Sequence, residues 1–141
     1  MLSIYKASAG SGKTHTLTGE YLRMLFRDFQ AHREQMMPHS HILAVTFTKK
    51  ATAEMKERIL KALFILSQTP KQSPYYDLLI GEFKVDTPTL QQQARQLLVG
   101  ILQDFSRFSV STIDGFFQQV IRTFAMELGL TTTYDLAMDN D

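Results

Sequence analysis

Eight residues near the amino terminus, Ala7-Ser8-Ala9-Gly10-Ser11-Gly12-Lys13-Thr14, limit the fold more than any other stretch of this 141-residue chain. A short β-favouring run, Leu2, Ile4 and Tyr5, precedes them, and after them the apolar period changes. Leu17, Tyr21, Leu25 and Phe29 recur every fourth residue, with Leu22 and Phe26 beside them, which predicts an amphipathic helix of about 17 residues from Lys13 onward. The economical fold for that order is a buried strand, a Gly-rich turn and a helix. Small residues let successive backbone N–H groups turn inward as a nest, and the helix start aims its free N–H groups and positive dipole end at the same point. Such a turn wraps an anion, and Gly12-Lys13-Thr14 ends it as a phosphate-binding loop ends. In that role Lys13 reaches the β- and γ-phosphates of a nucleotide and the Thr14 hydroxyl sits on Mg²⁺. The candidate nucleotide contacts are Ala7, Ser8, Ala9, Gly10, Ser11, Gly12, Lys13, Thr14 and the adjoining His15. Ala7 stands where the pattern usually has glycine, a small departure where backbone angles are ordinary. A dinucleotide fingerprint is excluded, because GxGxxG is absent.

The remainder of the chain repeats the alternation of strand and helix. Ile42 to Phe47 is an almost unbroken apolar and β-branched run, the pattern of a strand covered on both faces. A helix follows Thr48, with Ala53, Ile59, Ala62, Leu63 and Leu66 on its apolar face and Glu54/Arg58 and Glu57/Lys61 as i,i+4 pairs. Residues 67–88 read as a loop with one short helix. Thr87 and Pro88 suit the cap and first position of a further helix reaching about residue 105. Ser109 to Ile113 is a short strand, Asp114 is a candidate cap for the helix behind it, and Gly129 closes that helix. The expected fold is α/β: a three-layer, parallel P-loop sheet with flanking helices, incomplete, and a helical insertion between its second and third strands. The expected parts are 1–66 (strand, helix, strand, helix), 67–106 (insertion), 107–129 (third strand and helix) and 130–141, the start of a further subdomain or a tail.

Composition narrows the classes. With no cysteine, disulfide frameworks, thiolate zinc sites and thiol chemistry are excluded. No apolar run approaches a membrane span and the amino terminus lacks a signal-peptide core, so a cytoplasmic protein without membrane partners is expected. Residues 1–61 carry net charge +5 and residues 62–141 carry −4, which places the basic excess beside the motifs. The histidines 15, 32, 39 and 41 are too few for a metal site and read as solvated.

Three stretches, Tyr5 to Thr14, Thr46-Phe47-Thr48-Lys49-Lys50-Ala51 with Glu54, Met55 and Arg58, and Ser111-Thr112-Ile113-Asp114-Gly115-Phe116-Phe117, together resemble the UvrD/RecB-like group of superfamily 1 DNA helicases. Within it, the chain is most similar to the RecB/AddA type of exonuclease–helicase subunit. The resemblance spans residues 5 to about 123, with poor coverage between 67 and 105. It implies a RecA-like domain that binds ATP and Mg²⁺, with the second and third stretches as motifs Ia and Ib along a track for single-stranded DNA. The DNA contacts it implies are Thr46, Phe47, Thr48, Lys49, Lys50, Thr112, Asp114 and Phe116. Asp114 replaces the histidine common in motif Ib and leaves an anion there.

Chemistry gives these residues matching work. Threonines at the carboxyl ends of strands lie where ligands of open sheets collect, and their hydroxyls can hold phosphodiester oxygens without reading sequence. Phe47 either stacks on a base or packs in the core, and Lys49 and Lys50 either attract the backbone or are solvated. Phe116 and Phe117 suit packing better than stacking. Arg58 either pins the helix layer or positions nucleotide.

Hydrolysis also needs a water-orienting carboxylate and further cations, and no apolar strand ending in Asp-Glu follows Thr14. The expectation is an amino-terminal piece of a larger helicase or helicase/exonuclease, whose partners are the rest of its polypeptide with a second RecA-like domain, and a second exonuclease–helicase subunit. Alone, it binds Mg-ATP weakly and barely turns it over. The alternatives are a P-loop regulatory NTPase, a small-molecule kinase, or a non-catalytic nucleotide-binding or interaction fragment.

Overall fold

A computed structural model describes residues 11–31 and 38–129, with side chains from Thr14 onward. The strand expected over Leu2 to Tyr5, the loop residues 7–10, His32 and the terminal segment 130–141 lie outside the described residues. Among the described residues, five α-helices and two strands are joined by three short 3-10 turns: α1 (Ser11–Ala31), β1 (Ala44–Thr46), α2 (Lys49–Gln68), α3 (Tyr76–Phe83), α4 (Thr87–Gln103), β2 (Val110–Thr112) and α5 (Ile113–Glu127). The described chain is therefore α/β and mostly helical, with a two-stranded parallel sheet. Ala44, Val45 and Thr46 pair in register with Val110, Ser111 and Thr112.

The stripe on α1 is buried as its spacing requires, with Leu17, Tyr21, Leu22, Leu25 and Phe26 inside the core and Phe29 against its edge. The buried face of α2 is Met55, Ile59, Ala62, Leu63 and Leu66. Ala53 is exposed and Met55 takes its expected place, one helical turn before Ile59. Among the described residues no ion pair joins Glu54 to Arg58 or Glu57 to Lys61. Leu90, Ala94, Leu97 and Ile101 of α4 close the same core, into which Ala44 and Val110 of the sheet also point.

Two caps differ from expectation. Asp86, not Thr87, caps α4, its carboxylate accepting the Thr89 N–H at 3.0 Å. This places Pro88 at the second helical position, where its missing N–H costs no hydrogen bond. Thr112, not Asp114, caps α5, accepting the Gly115 N–H at 3.0 Å. A Cβ at Gly115 would lie 3.1 Å from the Thr112 hydroxyl oxygen, so glycine lets this cap close. Gly129 does end α5 with φ of 71°.

His39 also departs from expectation. It is 1% exposed, and its Nε2 lies 3.1 Å from both a carboxylate oxygen and the backbone carbonyl of Asp104, which in turn accepts from Arg107 Nε at 2.8 Å. It ties the turn before β1 to the end of α4, whereas His41 is exposed beside Asp28.

Polar ties fix α1 to α3. Arg23 donates from Nε and Nη2 to the two carboxylate oxygens of Glu82 at 2.6 Å each, and Arg27 adds a third bond at 3.0 Å. The bond from Arg23 holds the Glu82 carboxyl below its usual range. A carboxylate with a depressed folded pKa contributes stability above its unfolded pKa and loses it as pH falls through the folded one. Glu82→Gln is thus expected to cost about 1 kcal/mol at pH 7. The difference from wild type should shrink as pH falls below the ordinary glutamate value of 4.5, measured by denaturant unfolding across pH. A difference that stays constant through the acid range contradicts this.

Candidate functional site

Both strands end at a threonine, and both hand over to a helix at that end: α2 begins three residues after Thr46, and Thr112 is the cap of α5. The amino termini of two helices therefore gather at the carboxyl edge of the parallel sheet, the side on which open α/β sheets bind ligands. Thr46 and Thr112 are register partners in the ladder.

The threonines have different surroundings. Thr46 is 3% exposed, and its hydroxyl lies 2.6 Å from that of Thr52 while donating to the Thr48 carbonyl at 3.2 Å. It fastens the first turn of α2 to the strand end. Thr48 is exposed and caps α2, accepting the Ala51 N–H at 3.0 Å. Thr112 is half-buried and occupied by the Gly115 bond.

Phe47 is 56% exposed at the bend between β1 and α2, so the core alternative for it is excluded. Lys49 and Lys50 are exposed in the first turn of α2, which holds no acid. Two cations on the positive end of a helix dipole are mutually unfavourable, by roughly 0.3–1 kcal/mol each, unless an anion lies nearby. Asp114 is exposed in the first turn of α5, the favourable end of that dipole for a carboxylate. Phe116 is half-buried and lines a groove of about 470 Å³ with Leu43, Val120 and Phe124, next to exposed Phe117.

The phosphate-loop residues fall partly outside the described chain. What is described is their last portion: Ser11 opens α1, so Gly12-Lys13-Thr14 occupy its first turn, which again contains no acid. The Thr14 carbonyl accepts from the Thr18 hydroxyl at 2.7 Å. Among the described residues no group of three His, Cys, Asp or Glu could hold a metal ion.

One feature of this region was not legible in the sequence. His15 stacks on Tyr75, ring centroids 4.7 Å apart and planes 19° from parallel, and the Tyr75 hydroxyl donates to the His15 carbonyl at 3.3 Å. The pair borders a cleft of about 530 Å³ against the middle of α2, with Glu54, Glu57, Arg58, Lys61 and Ile65 along its wall and Pro74 beside Tyr75. Arg58 and His15 line the same cleft.

Comparison with known proteins decides the family. Residues 3–141 match the UvrD/REP helicase N-terminal domain. The chain belongs to the UvrD/REP helicase family. Among relatives, it is 32% identical to the RecBCD enzyme subunit RecB of Escherichia coli (strain K12), over 96% of this chain and 12% of that protein. It is 26% identical to RecB of Haemophilus influenzae over 98% of this chain and 12% of that protein. It is 31% identical to an ATP-dependent helicase/nuclease subunit of Lactobacillus johnsonii over 96% of this chain and 9% of that protein. The chain thus spans about an eighth or less of the length of these relatives. No solved structure matches it. Among the described residues, no helix of this UvrD/REP domain is long and apolar enough to cross a membrane.

Proposed function

We propose that this chain is the amino-terminal, ATP-binding and single-stranded-DNA-contacting part of a DNA helicase of recombination and repair, of the kind that carries the name ATP-dependent helicase/nuclease among its relatives. In this reading the described strands belong to a three-layer RecA-like sheet, with 1–66 and 107–129 as its parts, 67–106 as a helical insertion, and 130–141 leading into a further subdomain. Its partners are the remainder of a longer polypeptide, with a second RecA-like domain, and a second exonuclease–helicase subunit. The protein is cytoplasmic.

The observation that carries the DNA assignment is the exposed sequence Phe47-Thr48-Lys49-Lys50 at the carboxyl edge of the sheet, on an acid-free helix start. Free N–H groups of α2 and the two ammonium groups attract phosphodiester oxygens, and Phe47 offers a stacking face to any base. Thr48 contacts the same DNA strand. Thr46 acts beneath it by fixing the turn, and Thr112 by starting α5 beside it. Asp114 faces this track as an anion and limits how closely a phosphate approaches α5. Phe116 works as a packing group in its groove.

The nucleotide assignment rests on α1 beginning inside the phosphate-loop motif with no acid in its first turn. Residues 7–13 wrap the phosphates, Lys13 neutralises the β- and γ-oxygens, and Thr14 contributes its hydroxyl to Mg²⁺, which offsets phosphate charge when bound. His15 and Arg58 face the cleft where the base lies. The carboxylates and further cations that hydrolysis requires are not supplied by these residues, so the 141-residue chain binds nucleotide weakly and has little or no turnover.

Binding of labelled oligothymidylate, followed by fluorescence anisotropy at several salt concentrations, tests the DNA side. The Lys49→Gln/Lys50→Gln double variant should show a slope of log K against log salt shallower by about 1.4, the counterion release of two phosphate contacts on a single strand. An unchanged slope would remove these lysines from the interface.

A further inference from the structure

The His15–Tyr75 pair joins two regions that the family motifs do not connect. His15 belongs to the first turns of α1, directly after the phosphate-loop residues, whereas Tyr75 lies 60 positions later, at the start of α3 in the segment between β1 and β2. Tyr75 is held firmly. It is 6% exposed, its N–H donates to the Ser73 hydroxyl at 3.1 Å, and a Cβ added at Gly19 would touch its ring at 3.4 Å. His15, by contrast, is exposed. A fixed ring beneath an exposed ring, at the mouth of a 530 Å³ cleft, makes a stacking platform with one layer still open.

We propose that Tyr75 is a positioning residue for the nucleotide base: its ring supports His15 from below, its hydroxyl holds the His15 carbonyl, and the base of the bound nucleotide stacks on the opposite face of the imidazole. This rests on the nucleotide reading above and adds the residue that orients its base contact. The cleft volume falls within the range of small-ligand pockets, and its Glu54, Glu57, Arg58 and Lys61 wall gives the base edge polar neighbours.

The test uses the 141-residue chain with two probes, Mg-ATP and magnesium tripolyphosphate, titrated at millimolar levels and followed by NMR chemical shifts. Tyr75→Leu and His15→Ala should each weaken Mg-ATP about fivefold, a fraction of a base-stacking contact, and leave tripolyphosphate unchanged. The double variant should lose no more than either single one, because Tyr75 acts through His15. Equal loss toward both probes in Tyr75→Leu, additive losses in the double variant, or no loss at all would overturn the proposal. Should Tyr75→Leu not fold, His15→Ala at its exposed position keeps the question open to refutation: an undiminished preference for ATP over tripolyphosphate overturns it. Lys13→Ala distinguishes the two levels. If that variant binds tripolyphosphate as wild type does, the phosphate-loop reading itself fails. If it loses tripolyphosphate while Tyr75→Leu keeps ATP, only the role of Tyr75 fails.

Discussion

Lys13→Ala is expected to weaken Mg-ATP binding by roughly tenfold to a hundredfold, the loss of one or two hydrogen bonds to a charged group. Affinity for single-stranded oligonucleotide should stay within about twofold in the same variant, since the DNA contacts we propose lie on α2 and at the strand ends. The reason is positional. Lys13 falls in the first turn of α1 and is the one cation of the loop motif, the residue that in the proposed site neutralises the β- and γ-oxygens. The backbone nest would remain in the variant, so residual binding is expected rather than none. Isothermal titration with Mg-ATP and anisotropy with oligothymidylate measure the two limbs separately. Within a polypeptide of the relatives' length, the same change should abolish ATP turnover while single-strand binding survives. Equal loss of nucleotide and DNA in folded protein would mean that the two sites are not separate.

Phe47→Ala should reduce affinity for single-stranded oligonucleotide by about twentyfold, within the 1–3 kcal/mol measured for base–aromatic stacking. The effect should be similar for oligothymidylate and oligodeoxyadenylate, because every base presents a π-face. Stability should change little, as a ring that is already 56% exposed leaves no internal cavity when removed. Phe47→Trp, which enlarges the stacking face, should restore or improve binding. If Phe47→Ala binds as wild type does, the ring is an exposed apolar group with no role in the track, and the lysines carry the attraction alone.

Much of this arrangement was readable in the residues, and the parts that were not share a physical cause. The stripe from Leu17 to Phe29 predicted the buried face of α1 because helical period is a local property. The strand after Ser40 was predicted from Ile42 to Phe47 but is only Ala44 to Thr46, because the length of a ladder is set by its partner. Here the partner, β2, is bounded by the turn at Phe108 and by α5 starting at Ile113. The two misplaced caps, Thr87 for Asp86 and Asp114 for Thr112, arose where two good cap formers stand one or two residues apart. Local propensity does not choose between them; the backbone path into the helix does. His39 was expected in solvent because its partner, Asp104, is 65 residues away. Tyr75 was missed for the same reason, since nothing near it in sequence announces His15. At the candidate site the motifs named the residues, while burial, which sequence does not reveal, separates exposed Phe47, Thr48, Lys49 and Lys50 from Thr46 and Thr112, which are at least half-buried and hold the helix starts.

Helix α5 has a practical corollary. Ala125 is its sole buried residue, while Phe117, Val120, Ile121, Phe124, Met126 and Leu128 all meet solvent. The net charge of the chain is only +1 and its isoelectric point is about 8.0, so little electrostatic repulsion keeps molecules apart near neutrality. Molecules of the purified chain are therefore expected to adhere through this amphipathic surface, and work below pH 8 at modest concentration is the condition under which ligand titrations should report single molecules rather than clusters.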